Sequence, residues 1–217
     1  LSWGKGSYKG HIVSVNFPEQ DTTVFADSSL FYMNGKKLSI INFELDKSKS
    51  KLLLLTKRKR IWRHSYYGEY YILDLNSKDI FPITNNNDNL RNVKVAPNGL
   101  KVAYVRKDNN LYVFDIKKRK ERKLTKSGSS SILNGHFGWV YEEEFGSFDA
   151  YRWSPNGKHI AYWQEDQSKV PVFRMFDELG LYPTIQEIHY PKAGQTNPTM
   201  SIYIVDVNRG RNKKMDI

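Results

Sequence analysis

Two stretches of this chain echo one another. Ala96-Pro97-Asn98-Gly99-Leu100-Lys101-Val102-Ala103-Tyr104 is matched by Ser154-Pro155-Asn156-Gly157-Lys158-His159-Ile160-Ala161-Tyr162. A second element recurs as Tyr71-Ile72-Leu73-Asp74-Leu75, Tyr112-Val113-Phe114-Asp115-Ile116 and Tyr203-Ile204-Val205-Asp206-Val207. Its first two copies lie 41 residues apart, close to the ~40–45 of one propeller blade. Four strands with minimal turns fit at 92–96, 100–105, 111–116 and 122–125, and serve as the reference blade. Elsewhere short apolar runs alternate with turn signals and helical periodicity is almost absent. Asn-Gly, which tolerates the positive φ of tight hairpins, occurs at Asn34, Asn98, Asn134 and Asn156. The expected class is all-β, a partial β-propeller of about three to four blades. The last copy reaches its third strand at Val207 with no clear fourth strand after it. Residues 1–217 are therefore read as an incomplete propeller domain with more blades to follow.

Against the reference blade, three connections are too long. They are 56–69, 126–150 and 164–200, the last an arm. Strand direction alternates in an antiparallel blade, which puts all three on one face and the tight Pro-Asn-Gly turns on the other. Long loops on a rigid scaffold are where binding residues collect. Function is expected on that elaborated face.

Composition narrows the chemistry. With no cysteine, a disulfide scaffold, a zinc-thiolate site and a cysteine nucleophile are excluded. The longest aliphatic run, Leu52-Leu53-Leu54-Leu55, is far short of the ~20 apolar residues of a membrane-spanning helix, and the chain opens without an apolar leader. The net charge of +11 invites a polyanion reading, but it is uneven: residues 1–130 hold 25 Lys/Arg against 12 Asp/Glu, and residues 131–217 hold 9 against 11. The basic clusters Lys57-Arg58-Lys59-Arg60 and Lys117-Lys118-Arg119-Lys120 flank strand-like runs and read more simply as solvated turns that protect sheet edges. No nucleic-acid partner, metal or cofactor is expected.

The second insertion carries Trp139-Val140-Tyr141-Glu142-Glu143-Glu144-Phe145. Three adjacent carboxylates usually mark a solvated turn, but here aromatic groups that favour burial bracket them. Neighbouring side chains on a strand point to opposite faces, so adjacent glutamates converge only from a helical turn. Crowded carboxylates suit a cation, an ammonium above all. Arg63, in the first insertion, comes from the same face and could steady the cluster or bind a carbonyl.

Several segments together resemble the dipeptidyl peptidase IV family of the prolyl oligopeptidase group of serine peptidases. They are Trp62-Arg63-His64-Ser65, Asn134-Gly135 with the Trp-Val-Tyr-Glu-Glu-Glu string, Trp153-Ser154-Pro155-Asn156-Gly157, and Tyr190-Pro191-Lys192-Ala193-Gly194 with Asn197-Pro198-Thr199. The likeness runs from about Thr56 to Val207, and residues 1–50 offer no anchor. It implies an eight-bladed N-terminal propeller packed on a C-terminal α/β-hydrolase domain that lies outside this chain. It implies that Glu143 and Glu144 hold the free α-amino group of a peptide, that Arg63 holds its second carbonyl and braces the glutamates, and that dipeptides are released after Pro or Ala. It also implies a homodimer formed through the arm, 171–198, and a periplasmic or secreted location. The chain has no Gly-x-Ser-x-Gly elbow, so no catalytic residue is assigned within it and alone it is expected to be inactive. His64, His136 and His159 have no nucleophile partner and read as structural. The absence of cysteine and of a permitted glycosylation sequon points to a microbial source. Two other readings stay open on residues alone: a non-catalytic propeller that binds a protein or peptide, and a polyanion-binding propeller using the basic clusters.

Overall fold

The structure, a computed structural model, describes residues 2–3, 10–16, 18, 21–85, 87 and 89–216. The chain forms two compact units, 1–58 with 68–88, and 59–67 with 89–217.

In the first unit, β1 (Ser2–Trp3), β2 (Ile12–Val15) and β3 (Thr22–Ala26) form a three-stranded antiparallel sheet. A small hairpin follows, β4 (Tyr32–Met33) and β5 (Lys36–Lys37). Its turn has positive φ at both Asn34 and Gly35, the mirror-image turn that matches strand twist. A four-stranded sheet comes next, in the order β6 (Asn42–Leu45), β7 (Lys51–Arg60), β8 (Tyr66–Asp74) and β9 (Ile80–Pro82). Ile12, Phe31, Ile40, Leu52, Leu54, Tyr71 and Leu73 make its core. Leu53 and Leu55 on the other face of β7 are buried too, which explains the unbroken leucine run: a strand covered on both faces needs no polar alternation.

The first long connection proves to be mostly strand. β7 continues to Arg60 and β8 begins at Tyr66, so the expected 56–69 loop shrinks to residues 61–65. Lys57-Arg58-Lys59-Arg60 accordingly lie on a strand, where Lys57 pairs with Glu69 at 3.1 Å. The outer part of β7 is charged and exposed, with one ion pair reaching across the hairpin, so the ladder extends there without an apolar run to mark it.

In the second unit the reference blade is β10 (Arg91–Val95), β11 (Lys101–Val105), β12 (Leu111–Asp115) and β13 (Lys120–Lys123), all antiparallel. The next sheet holds β14 (Ile132–Asn134), β15 (Tyr151–Trp153), β16 (His159–Asp166), β19 (Thr199–Asp206) and β20 (Asn212–Lys214). Between its strands project α1 (Trp139–Phe145) and a two-stranded ribbon, β17 (Val172–Asp177) with β18 (Thr184–His189). Ala103, Val105, Leu111 and Val113 of one sheet pack on Tyr151, Ile160, Tyr162 and Val205 of the other. Tyr151, fully buried, keeps its hydroxyl paired by donating to the Ala103 carbonyl at 2.9 Å.

Two expectations are corrected here. The second insertion does not precede the first strand of its blade but interrupts it. β14 and β15 both pair with β16, at Ile132↔Asp166 and Tyr151↔Tyr162, and residues 135–150 loop out between them. The neck is closed by Gly135 N–H to the Trp163 carbonyl and Trp163 N–H to the Ala150 carbonyl. The fourth strand missing after Val207 is also present, as β20, pairing Ile204↔Lys213. Its Asn-Lys-Lys sequence is exposed edge and carries no apolar signal. The arm is present as the ribbon, shortened to 167–198 because β16 and β19 run further than their apolar runs.

The repeated elements have local causes. Each copy of the Tyr-x-x-Asp element ends a strand, and its aspartate accepts backbone N–H groups of the following turn: Asn76 and Ser77 on Asp74, Lys118 on Asp115, Asn208 and Arg209 on Asp206. In the Pro-Asn-Gly turns only the glycines, Gly99 and Gly157, have positive φ; Asn98 and Asn156 instead accept from Leu100 and Lys158 N–H. Asn134 belongs to no hairpin and is buried at the end of β14. Several basic residues are matched within their own blade, Lys101 to Asp115 at 2.6 Å and Lys123 to Asp108 at 2.7 Å. Among the described residues no helix is long and apolar enough to cross a membrane.

Candidate functional site

Helix α1 and loop 61–65 both belong to the second unit, and the site is built from them. The helix is seven residues long, too short to be stable alone, and is held at both ends. Its N-cap, Gly138, has no side chain to offer; its N–H donates to Glu165 Oε2 at 2.8 Å instead. Glu165 is fully buried, with Oε1 accepting from Gln167 at 2.6 Å. Burial raises its pKa, against the lowering pull of those two hydrogen bonds. At the other end Gly146, at φ +62°, and Ser147 donate to the Glu142 and Tyr141 carbonyls, a Schellman-type stop. Phe137 stacks on Tyr141 at 5.3 Å, and Trp139 meets Tyr190 at the base of the ribbon at 5.4 Å. Phe145, expected to be drawn inward, is 70% exposed and meets Tyr141 with ring centroids 5.5 Å apart.

The glutamates do converge from a helical turn, and the turn gives each a different setting. Glu142 is fully buried, and its Oε1 accepts the backbone N–H groups of His64 at 2.7 Å and Ser65 at 2.8 Å. Glu143 is partly buried, with Arg63 Nε donating to its Oε2 at 2.8 Å. Glu144 is exposed. The structure thus joins Arg63 and Glu143 across 80 residues of sequence and leaves Glu144 open at the next position. Ring contacts from Trp139 through Tyr190 to Phe173 tie the second insertion to the arm.

Beneath the helix a cavity of about 220 Å³ is walled by Trp62, Tyr67, Arg91, His136, Trp139 and Gln167, among others. Arg91 is 3% exposed, and its Nε and Nη2 have no hydrogen-bond partner. Burial lowers its pKa, and the neighbouring Tyr67 and Glu142 pull it back up. His136 is buried beside it; burial first, and then the Arg91 charge, hold its pKa well below the usual range, so the imidazole is neutral. His64 stacks on Phe148. Glu142, Glu165 and Arg91 are the residues that sequence reasoning missed. In sequence Glu142 is indistinguishable from its two neighbours, and only its spacing of three from Trp139, on one helical face, hints that it points inward.

Comparison with known proteins identifies the family. The family model for the dipeptidyl peptidase IV (DPP IV) N-terminal region matches residues 46–217. Dipeptidyl aminopeptidase B of Saccharomyces cerevisiae is 32% identical over 209 residues, covering 92% of this chain and 25% of the yeast protein. Dipeptidyl peptidase 4 of Sus scrofa is 32% identical over 203 residues, covering 91% of this chain and 26% of its own length. The likeness therefore takes in most of residues 1–50, where the sequence alone offered no anchor. The chain spans about a quarter of the length of these curated relatives. The crystal structure of Porphyromonas gingivalis dipeptidyl peptidase 4 superposes with a TM-score of 0.89 at 30% identity, over 98% of this chain and 30% of that one. The family model covers most of the chain and the relatives exceed 30% identity over nine-tenths of it, so the chain belongs to the dipeptidyl peptidase IV family, within its N-terminal region.

Proposed function

We propose that this chain is the part of a serine-type dipeptidyl peptidase that recognises the amino end of the substrate. Glu143 and Glu144 hold the α-ammonium group; Arg63 braces them and holds the second carbonyl. The observation that carries this reading is the 2.8 Å contact between Arg63 and Glu143, with Glu144 exposed beside it. Arg63 is two-thirds exposed, and an exposed ion pair contributes only ~0–1 kcal/mol to stability. The pair is better understood as aiming a carboxylate than as holding the fold. Glu143 spends one oxygen on Arg63 and keeps acceptor capacity on the other, while Glu144 keeps both; an ammonium has three donors to fill them. Each charge-assisted bond supplies ~1.5–3 kcal/mol. An anchor at the amino end leaves room for two residues before the scissile bond, which gives dipeptide release after Pro or Ala; an acetylated amino end forfeits the anchor. The bond itself is cut by a nucleophile on an α/β-hydrolase domain that follows in the full-length protein. The ribbon, 171–198, takes a second copy: Phe176, Leu179, Leu181, Tyr182 and Ile185 are all exposed along it.

In the full-length protein, Glu143→Ala and Glu144→Ala should each lower kcat/KM for an X-Pro chromogenic dipeptide by ~10–10²-fold, the loss of one charge-assisted bond. Full activity in both variants would remove the assignment.

A further inference from the structure

The amino-end site just described stands on a two-turn helix and a five-residue loop. We infer that Glu142 is a positioning residue for that site: by accepting the backbone N–H groups of His64 and Ser65, its carboxylate sets where Arg63 meets Glu143. The inference rests on the reading that Arg63 and Glu143 take the substrate's amino end.

Successive helical residues point ~100° apart, so Glu142 enters the interior while Glu143 stands on the rim. The two amides that Glu142 binds, at 2.7 and 2.8 Å, directly follow Arg63 in the chain. Fixing them fixes the Arg63 backbone and leaves only its side chain to be placed. The reverse order fails on magnitude: an exposed Arg–Glu pair is worth too little to order a loop against the entropy of two long side chains. Other contacts of the loop close it on itself, Ile61 N–H to the Ser65 carbonyl at 2.9 Å and Arg60 Nε to the Trp62 carbonyl at 2.7 Å. The His64 stack on Phe148, with centroids 6.0 Å apart, adds a looser link. The Oε2 of Glu142 and the Nε and Nη2 of Arg91 are buried without hydrogen bonds, and the charged state of the Arg91 guanidinium is favoured first by Tyr67 and then by the Glu142 carboxylate. Acceptor and charge are therefore separable functions of one side chain.

Two variants of the full-length protein separate them. Glu142→Ala removes both; Glu142→Gln keeps an acceptor oxygen and removes the charge. Hydrogen–deuterium exchange of a peptide covering 61–66 reads the loop, and hydrolysis of an X-Pro chromogenic dipeptide reads KM and kcat. In E142A, exchange in that peptide should rise at least ~10-fold, with β11 unchanged. KM should rise up to ~10²-fold with a smaller change in kcat, as expected for a misplaced binding group. E142Q should keep the loop protected and KM within about threefold of wild type, while its Tm falls because the buried Arg91 loses one of the two groups that favour its charge. The inference is overturned if the loop stays protected in E142A, or if it is released with KM unchanged. It is equally overturned if E142Q raises KM more than about threefold over wild type with the loop still protected; this arm decides the matter even if E142A does not fold. Full activity in both E143A and E144A would remove the site, and the inference with it, whereas failure of the E142 predictions alone leaves the site standing.

Discussion

Glu142, Glu143 and Glu144 are the same residue type in succession, and the helix sorts them into a buried acceptor, a partly buried partner of Arg63 and an exposed carboxylate. Beneath them lies His136, whose neutrality follows from burial and from the Arg91 charge beside it. A neutral buried imidazole has a consequence for pH. The unfolded chain takes up a proton at this residue near pH 6.5, whereas the folded state resists until well below, so the folded state binds fewer protons. The stability linked to His136 is present above about pH 6.5 and lost as pH falls through the depressed folded value. A His136→Gln variant should lack this slope. Thermal denaturation of wild type and variant from pH 7.5 to 5 checks it: the wild type should lose more Tm than the variant on acidification, and parallel curves would contradict the neutral assignment.

At the scale of elements, α1 owes its place to contacts at its ends rather than to its own propensity. Gly138 is needed because the Glu165 carboxylate and the Gln167 amide crowd its Cα: a Cβ there would meet Gln167 Nε2 at 2.0 Å and Glu165 Oε1 at 3.0 Å. Both side chains are buried and bonded to one another, so neither yields freely. Gly138→Ala should cost ~1–3 kcal/mol of stability, as overpacking does, and should displace the helix enough to loosen the Arg63–Glu143 contact. Urea denaturation measures the first; the double-mutant coupling between Arg63 and Glu143, smaller in the Gly138→Ala background, measures the second. Strands whose pairing rests on charge or on bare edge, the outer part of β7 and all of β20, were invisible to apolar periodicity. Strands with a buried face, β10 to β12, were legible to within a residue or two.

At the scale of the whole molecule, the ribbon carries a run of exposed large apolar side chains: Leu179 and Leu181 are more than 90% exposed. Two cross-paired strands with no sheet behind them are marginal in water, and an apolar ribbon of this kind gains from a partner surface. Replacing Phe176, Leu179 and Leu181 together with serine in the full-length protein should convert the proposed dimer to monomer. Sedimentation equilibrium reads this directly, and an unchanged association state would place the interface elsewhere.

By itself the sequence determined the all-β class, the blade repeat and the family motif, because each rests on local chemistry: turn residues, alternation, and an unusual string of aromatic and acidic groups. It also placed Arg63, Glu143 and Glu144 among the residues to watch. Only the tertiary structure decided that the second insertion splits a strand, that the first is largely strand, and that Glu142 faces inward to bind the loop carrying Arg63. Those outcomes depend on which distant backbone N–H groups come within about 3 Å of a given carboxylate, and burial is a property of the packed chain: three adjacent glutamates carry no mark of which one will lose its water.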